Sequence, residues 1–96
     1  MNFRAPATDR AKFRPKMKPH VTLYTKPGCH LCEEAKREIE RAGCAGLYTF
    51  EEVNILTDPE LLRRYGYDIP VLLIDGTHAF RHRLTAEEFR RKIAGA

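Results

Sequence analysis

Apolar residues come in short bursts along this chain, and most bursts are closed by glycine or proline. Residues 21–25 (VTLYT) are β-branched and aromatic and predict a buried strand, which Lys26-Pro27-Gly28 breaks. Residues 33–41 are rich in strong helix formers and predict a helix. Glu33 and Arg37 are spaced to pair at i,i+4, and early acids with a late Arg41 suit the helix dipole. Gly43 is a natural stop. Residues 48–55 alternate in part and predict a second strand. Asp58-Pro59 starts a short helix as cap and first turn, and Gly66 ends it. Residues 71–74 (VLLI) do not alternate, so they predict a strand buried on both faces. Asp75-Gly76 is the strongest two-residue hairpin signal, so residues 77–81 should return antiparallel. Thr85 and Glu88 have capping-box spacing before a last helix that buries Phe89 and Ile93 and stops at Gly95.

The order is therefore β-α-β-α-β-β-α, an α/β fold. Its opening β-α-β should be a right-handed parallel crossover. The closing hairpin makes the sheet mixed, and the expected strand order is 2-1-3-4. Ninety-six residues suffice for one domain, expected over residues 20–96. Residues 1–19 hold three prolines and many charges without periodicity, and are expected to form a flexible basic extension.

Charge sharpens this division. Residues 1–20 carry a net +5 and the remainder −1, although the whole chain is +4. A nucleic-acid-binding core carries its basic patch on the folded surface, so no nucleic-acid partner is expected. The extension is Arg-rich and acid-poor, a composition shared with organellar transit segments. No apolar run approaches the roughly 20 residues needed to span a membrane, and none resembles a secretory signal. Three cysteines make no disulfide framework, and the odd number suits a reducing compartment such as the cytoplasm.

The chemistry lies in Cys29-His30-Leu31-Cys32, where a strand hands over to a helix. Unpaired N–H groups and the positive dipole end stabilise a thiolate at Cys29. Cys32, one turn on, is near enough to resolve a mixed disulfide formed at Cys29. Lys26 adds positive charge beside that thiolate, and a cationic His30 would stabilise it further. The competing use of such a pair is half a zinc site, with Cys44, His20, His78 and His82 as scattered further ligands. No second metal-spaced pair exists, so no metal site is expected. Cys44 is read as a structural thiol.

Residues 24–32 (YTKPGCHLC) resemble the active-site segment of glutaredoxins and glutaredoxin-like proteins, members of the thioredoxin superfamily. Residues 67–71 (YDIPV) resemble the segment that carries that family's cis-proline, and the hairpin and final helix extend the likeness over residues 21–93. The resemblance implies a thioredoxin-like fold and thiol–disulfide oxidoreduction, with Cys29 as nucleophile and Cys32 as resolving thiol. It also implies a cis Ile69–Pro70 bond, with the Ile69 backbone offered to a substrate and Pro70 shielding the sulfurs. No metal or organic cofactor is required. Glutathione is the implied reductant, and glutathione mixed disulfides or protein disulfides are the substrates of an expected monomer. Two features depart from glutaredoxins. His30-Leu31 replaces Pro-Tyr, and the glycine pair before the last helix is missing. Arg81 or Arg83 would then replace the usual contact to a glutathione carboxylate. The alternative is a non-catalytic thioredoxin-fold binding module, or a metal or iron–sulfur carrier using Cys29.

Overall fold

A computed structural model describes residues 18–96. The expected basic extension lies almost wholly outside the described residues. Four strands form one sheet in the order β2-β1-β3-β4. β1 (His20–Thr25) is central, parallel to β2 (Thr49–Asn54) and antiparallel to β3 (Val71–Ile74). β4 (Thr77–Arg81) returns antiparallel to β3, with a register shift between Leu72 and Leu73. Asp75 and Gly76 both have positive φ, 51° and 81°, the geometry a two-residue hairpin needs to match strand twist. The mixed α/β thioredoxin-like architecture is as the sequence indicated.

α1 (His30–Ala42) buries Cys32, Ala35, Ile39 and Ala42, one stripe at helical spacing. It ends at Gly43, whose φ of 69° lets its N–H close on the Glu40 carbonyl. Glu33 pairs with Lys36 at 3.1 Å rather than with Arg37, so the neighbour three residues on wins over the one at four. α2 (Pro59–Tyr65) is capped by Asp58, and α3 (Ala86–Gly95) by a complete Thr85–Glu88 capping box. One element differs from expectation. Ile55–Thr57 is a short 3₁₀ turn, not the end of a strand and the start of a helix. The Asn54 side chain caps it through the Leu56 N–H at 2.9 Å, while Ile55 is fully buried.

Two apolar clusters hold the layers. Val21, Leu23 and Leu72 pack with Ala35 and Ile39 of α1 and with Phe89 and Ile93 of α3. Phe89, fully buried, meets the Tyr48 ring edge-on at 5.3 Å. Ile55, Tyr65, Ile69, Val71, Leu73 and Cys32 form the second cluster.

Polar contacts fix α3 against α1, among them Arg90 Nε donating to the Ala42 carbonyl at 3.1 Å. The Ala86 N–H, at the start of α3, donates to Glu38 Oε1 at 2.8 Å, and Arg41 also donates to this carboxylate. These bonds, the Ala86 one foremost, hold the Glu38 carboxyl below its ordinary pKa. A carboxylate favoured in the folded state adds stability above its unfolded pKa of about 4.3, and loses it as pH falls through the depressed folded value. Urea midpoints measured between pH 7 and pH 3 should therefore fall less in Glu38→Gln than in the parent. A midpoint difference between the two proteins that does not change with pH would show that the carboxylate charge plays no part.

Candidate functional site

β1 ends in the exposed turn Lys26-Pro27-Gly28, and α1 begins immediately after it. Cys29 is the N-cap of α1, in extended conformation at φ −90° and ψ 109°. Its sulfur accepts the Cys32 N–H at 3.2 Å, the place a serine or aspartate oxygen takes in an ordinary cap. The Cys29 sulfur thus serves the helix cap as well as the disulfide. Cys29 and Cys32 form a disulfide with Cα atoms 5.2 Å apart. The two sulfur-bearing residues are unequally covered: Cys29 is half-buried, whereas Cys32 is 1% exposed. Cys32 packs in the second core cluster, and Cys29 lies against the same cluster.

Ile69 belongs to this cluster too, so the fold brings the YDIPV segment beside the cysteine pair. The Ile69–Pro70 peptide is cis. Ile69 itself is 8% exposed, because its side chain joins the core, and its N–H donates to the Tyr65 carbonyl at 3.2 Å. Among the described residues its carbonyl has no backbone partner, leaving one of the two backbone groups available for pairing. Pro70 is buried, and its carbonyl accepts the His82 N–H at 2.8 Å. His82 also approaches Asp68, Nε2 to Oδ1 at 3.9 Å, clipping the β4–α3 loop to the proline turn. His82 has a φ of 73°, and across it the Arg83 N–H donates to the Arg81 carbonyl at 2.8 Å. This is a three-residue γ-turn in the hand that costs strain.

That turn separates the two arginines. Arg83 lines a groove of about 440 Å³ with Leu31, Glu34, Arg37, Glu38 and Thr85. Arg81 pairs in register with Val71 and lines a different hollow with His78, Ala79 and Phe80. His30 is exposed, with its Nε2 2.8 Å from Glu34 Oε2. Lys26 is exposed in the turn before Cys29. Cys44 is buried, its thiol 3.6 Å from the Ala42 carbonyl. Among the described residues no three His, Cys, Asp or Glu side chains gather as a metal site would need, and no helix is long and apolar enough to cross a membrane.

Sequence reasoning missed the polar brace under the site. Thr25, the buried last residue of β1, donates its hydroxyl to Glu52 of β2 at 2.8 Å, and Lys36 of α1 donates to the same oxygen at 3.1 Å. Hydrogen bonds to Glu52 and Glu33 raise the Lys36 pKa above its usual value. No short-range pattern joins three elements in this way. Tyr24 stacks on Tyr65 with centroids 4.7 Å apart, and burial foremost raises the pKa of its phenol. Glu52→Ala leaves the Thr25 hydroxyl without its acceptor and should cost about 1 kcal/mol or more. Adding Thr25→Val should then cost little more, a non-additivity that urea midpoints of the two single variants and the double variant would read.

The model of the family described as glutaredoxin-like domain (DUF836) matches residues 20–94. A glutaredoxin-like protein of Dictyostelium discoideum, named as a YDR286C homolog, is 28% identical over 75 residues, covering 72% of this chain and 69% of that protein. Among solved structures, target protein XcR50 of X. campestris is similar at a TM-score of 0.68 and 32% identity, over 79% of this chain and 97% of its own. Chloroplastic thioredoxin z shares the fold at a TM-score of 0.66 and 13% identity, over 93% of this chain and 88% of its own.

Proposed function

The chain belongs to the glutaredoxin-like domain family, and from that premise we propose that it is a thiol–disulfide oxidoreductase whose attacking thiol is Cys29 and whose resolving thiol is Cys32. The unequal burial of the pair at a helix N-terminus carries this reading. An incoming thiolate reaches the half-buried Cys29 sulfur, forms a mixed disulfide there and expels Cys32 as thiolate. In the opposite direction the Cys29 thiolate attacks a substrate disulfide and releases one substrate thiol. Cys32 then attacks Cys29, restores the internal disulfide and releases the second thiol. The Cys32 N–H and the positive end of α1 are aimed at the Cys29 sulfur in either step and favour its thiolate. The Ile69 carbonyl is available to a substrate backbone beside the pair.

Glutathione and protein disulfides are the proposed partners. In this reading Arg83, on the groove that starts at Leu31, takes a glutathione carboxylate, and Arg81, in a separate hollow, contributes less. Alkylation of the reduced protein at about pH 6 should label Cys29 before Cys32, since the helix N-terminus favours a thiolate at the more accessible sulfur. Cys29→Ser should abolish exchange, and Cys32→Ser should accumulate a mixed disulfide at Cys29, seen by mass spectrometry. Labelling of Cys32 first reverses the assignment. A parent that reduces neither a glutathione mixed disulfide nor insulin points to the non-catalytic module instead. Arg83→Ala should raise the KM for glutathione about fivefold, the upper range for an exposed ion pair, and Arg81→Ala by less.

A further inference from the structure

Glu34 stands two residues beyond Cys32 on α1, and each of its carboxylate oxygens faces a different basic side chain. Oε2 is 2.8 Å from His30 Nε2, and Oε1 is 3.8 Å from Arg83 Nη1. His30 directly follows Cys29. Arg83 arrives from the β4–α3 loop. Glu34, Arg83 and Leu31, which lies between His30 and Cys32, line one groove. Glu38, one turn further along, is engaged elsewhere, because its oxygens are taken by Arg41 and by the Ala86 N–H. The Glu34 contacts run between side chains alone, with no backbone group engaged. His30 and Arg83 are 80% and 75% exposed in their side chains, and Glu34 is 40% exposed. Pairs this exposed are held loosely and exchange readily with other ions.

A carboxylate of the chain itself therefore already pairs with His30, the residue after Cys29, and with Arg83 across the groove. An anionic group entering the groove must displace Glu34 from Arg83 and stay beside its charge. A cationic group meets a carboxylate that can turn to it. We propose that Glu34 is a specificity-determining residue, biasing exchange at Cys29 against disulfides with a carboxylate near the sulfur and towards those with an ammonium group, while Arg83 opposes it. This rests on Cys29 being the attacking thiol. In the step concerned, the Cys29 thiolate attacks one sulfur of a small disulfide. A bond forms between Cys29 and that sulfur, and the reagent's own S–S bond breaks. The other half leaves as a thiolate, which takes a proton from water. Cys29 is oxidised to a mixed disulfide, and the departing half is reduced.

The test uses the full chain carrying Cys32→Ser, so that reaction stops at the mixed disulfide. The protein is reduced, freed of reductant, and mixed separately with three disulfides: that of thioglycolate (a dianion), bis(2-hydroxyethyl) disulfide (neutral) and cystamine (a dication). Mass spectrometry with peptide mapping follows the adduct at Cys29. Removing a charge near Cys29 also changes its thiolate fraction, but this multiplies all three rates alike and cancels in their ratios. Glu34→Gln should raise the ratio of anionic to cationic rates about fivefold over the parent, and Arg83→Gln should lower it by a similar factor. Both shifts should shrink at about 1 M salt, where the Debye length is about 3 Å. An unchanged ratio in Glu34→Gln, or three rates moving together in both variants, overturns the proposal. If Cys29 forms no adduct with any of the three, the reading of Cys29 as attacking thiol fails, and this proposal with it.

Discussion

The Cys29 sulfur caps the helix that carries Cys32, and most of the molecule's arrangement serves this one placement. A helix N-terminus leaves N–H groups without partners, and an acceptor there is normally chosen only for that purpose. Here the acceptor is a sulfur, bonded to the Cys32 N–H and joined to the Cys32 side chain. The same orientation that satisfies the helix therefore directs positive potential at the sulfur. To hold it there, β1 must end at Thr25 and α1 must start at His30. The Thr25–Glu52–Lys36 brace ties both of those segments to β2. Cys32 in turn is packed among Ile55, Tyr65, Ile69 and Val71, so the second sulfur is fixed by the core itself.

Signals confined to a few residues made most of the fold legible. Asp58-Pro59, Asp75-Gly76 and the Thr85–Glu88 pair each act within one turn, and each stands where the chain needs it. Ile55 was not legible, because an apolar residue after a strand looks like more strand. The Asn54 side chain turns the backbone there instead, and burial of Ile55 is compatible with either form. The cysteine pair could be placed from its strand-to-helix context, and Ile69 beside it only through the resemblance of residues 67–71 to a cis-proline segment. The surroundings of the groove could not. His30 and Glu34 are four apart on a helix, a spacing visible in the sequence, but Arg83 reaches Glu34 only through the path of the β4–α3 loop.

Two carboxylates one turn apart on α1 show how partners decide a role. Glu38 accepts a backbone N–H from the first residue of α3, and its pKa is depressed by that bond. It is committed to holding two helices together. Glu34 has only side-chain partners, both largely exposed, and each can leave without disturbing the backbone. Residue type and helix position would have ranked them alike. The difference lies in whether the bonded partner is itself free to move.

The turn at His82 shows why the groove has a defined shape despite its exposed side chains. A non-glycine residue at φ 73° carries strain and persists only where its surroundings fix it on several sides. Three contacts do so: the His82 N–H to Pro70, the Arg83 N–H across the turn to Arg81, and the Asp68 carboxylate near the imidazole. Continuing β4 straight would place Arg81 and Arg83 on the same side, since strand side chains alternate with a period of two. The γ-turn breaks that alternation and brings Arg83 to the rim beside Glu34. A glycine at this position would relax the strain and would also give up the side chain that reaches Asp68. The histidine thus couples the proline turn beside the cysteines to the loop that forms the groove wall, and the meeting of Arg83 with Glu34 follows from that coupling.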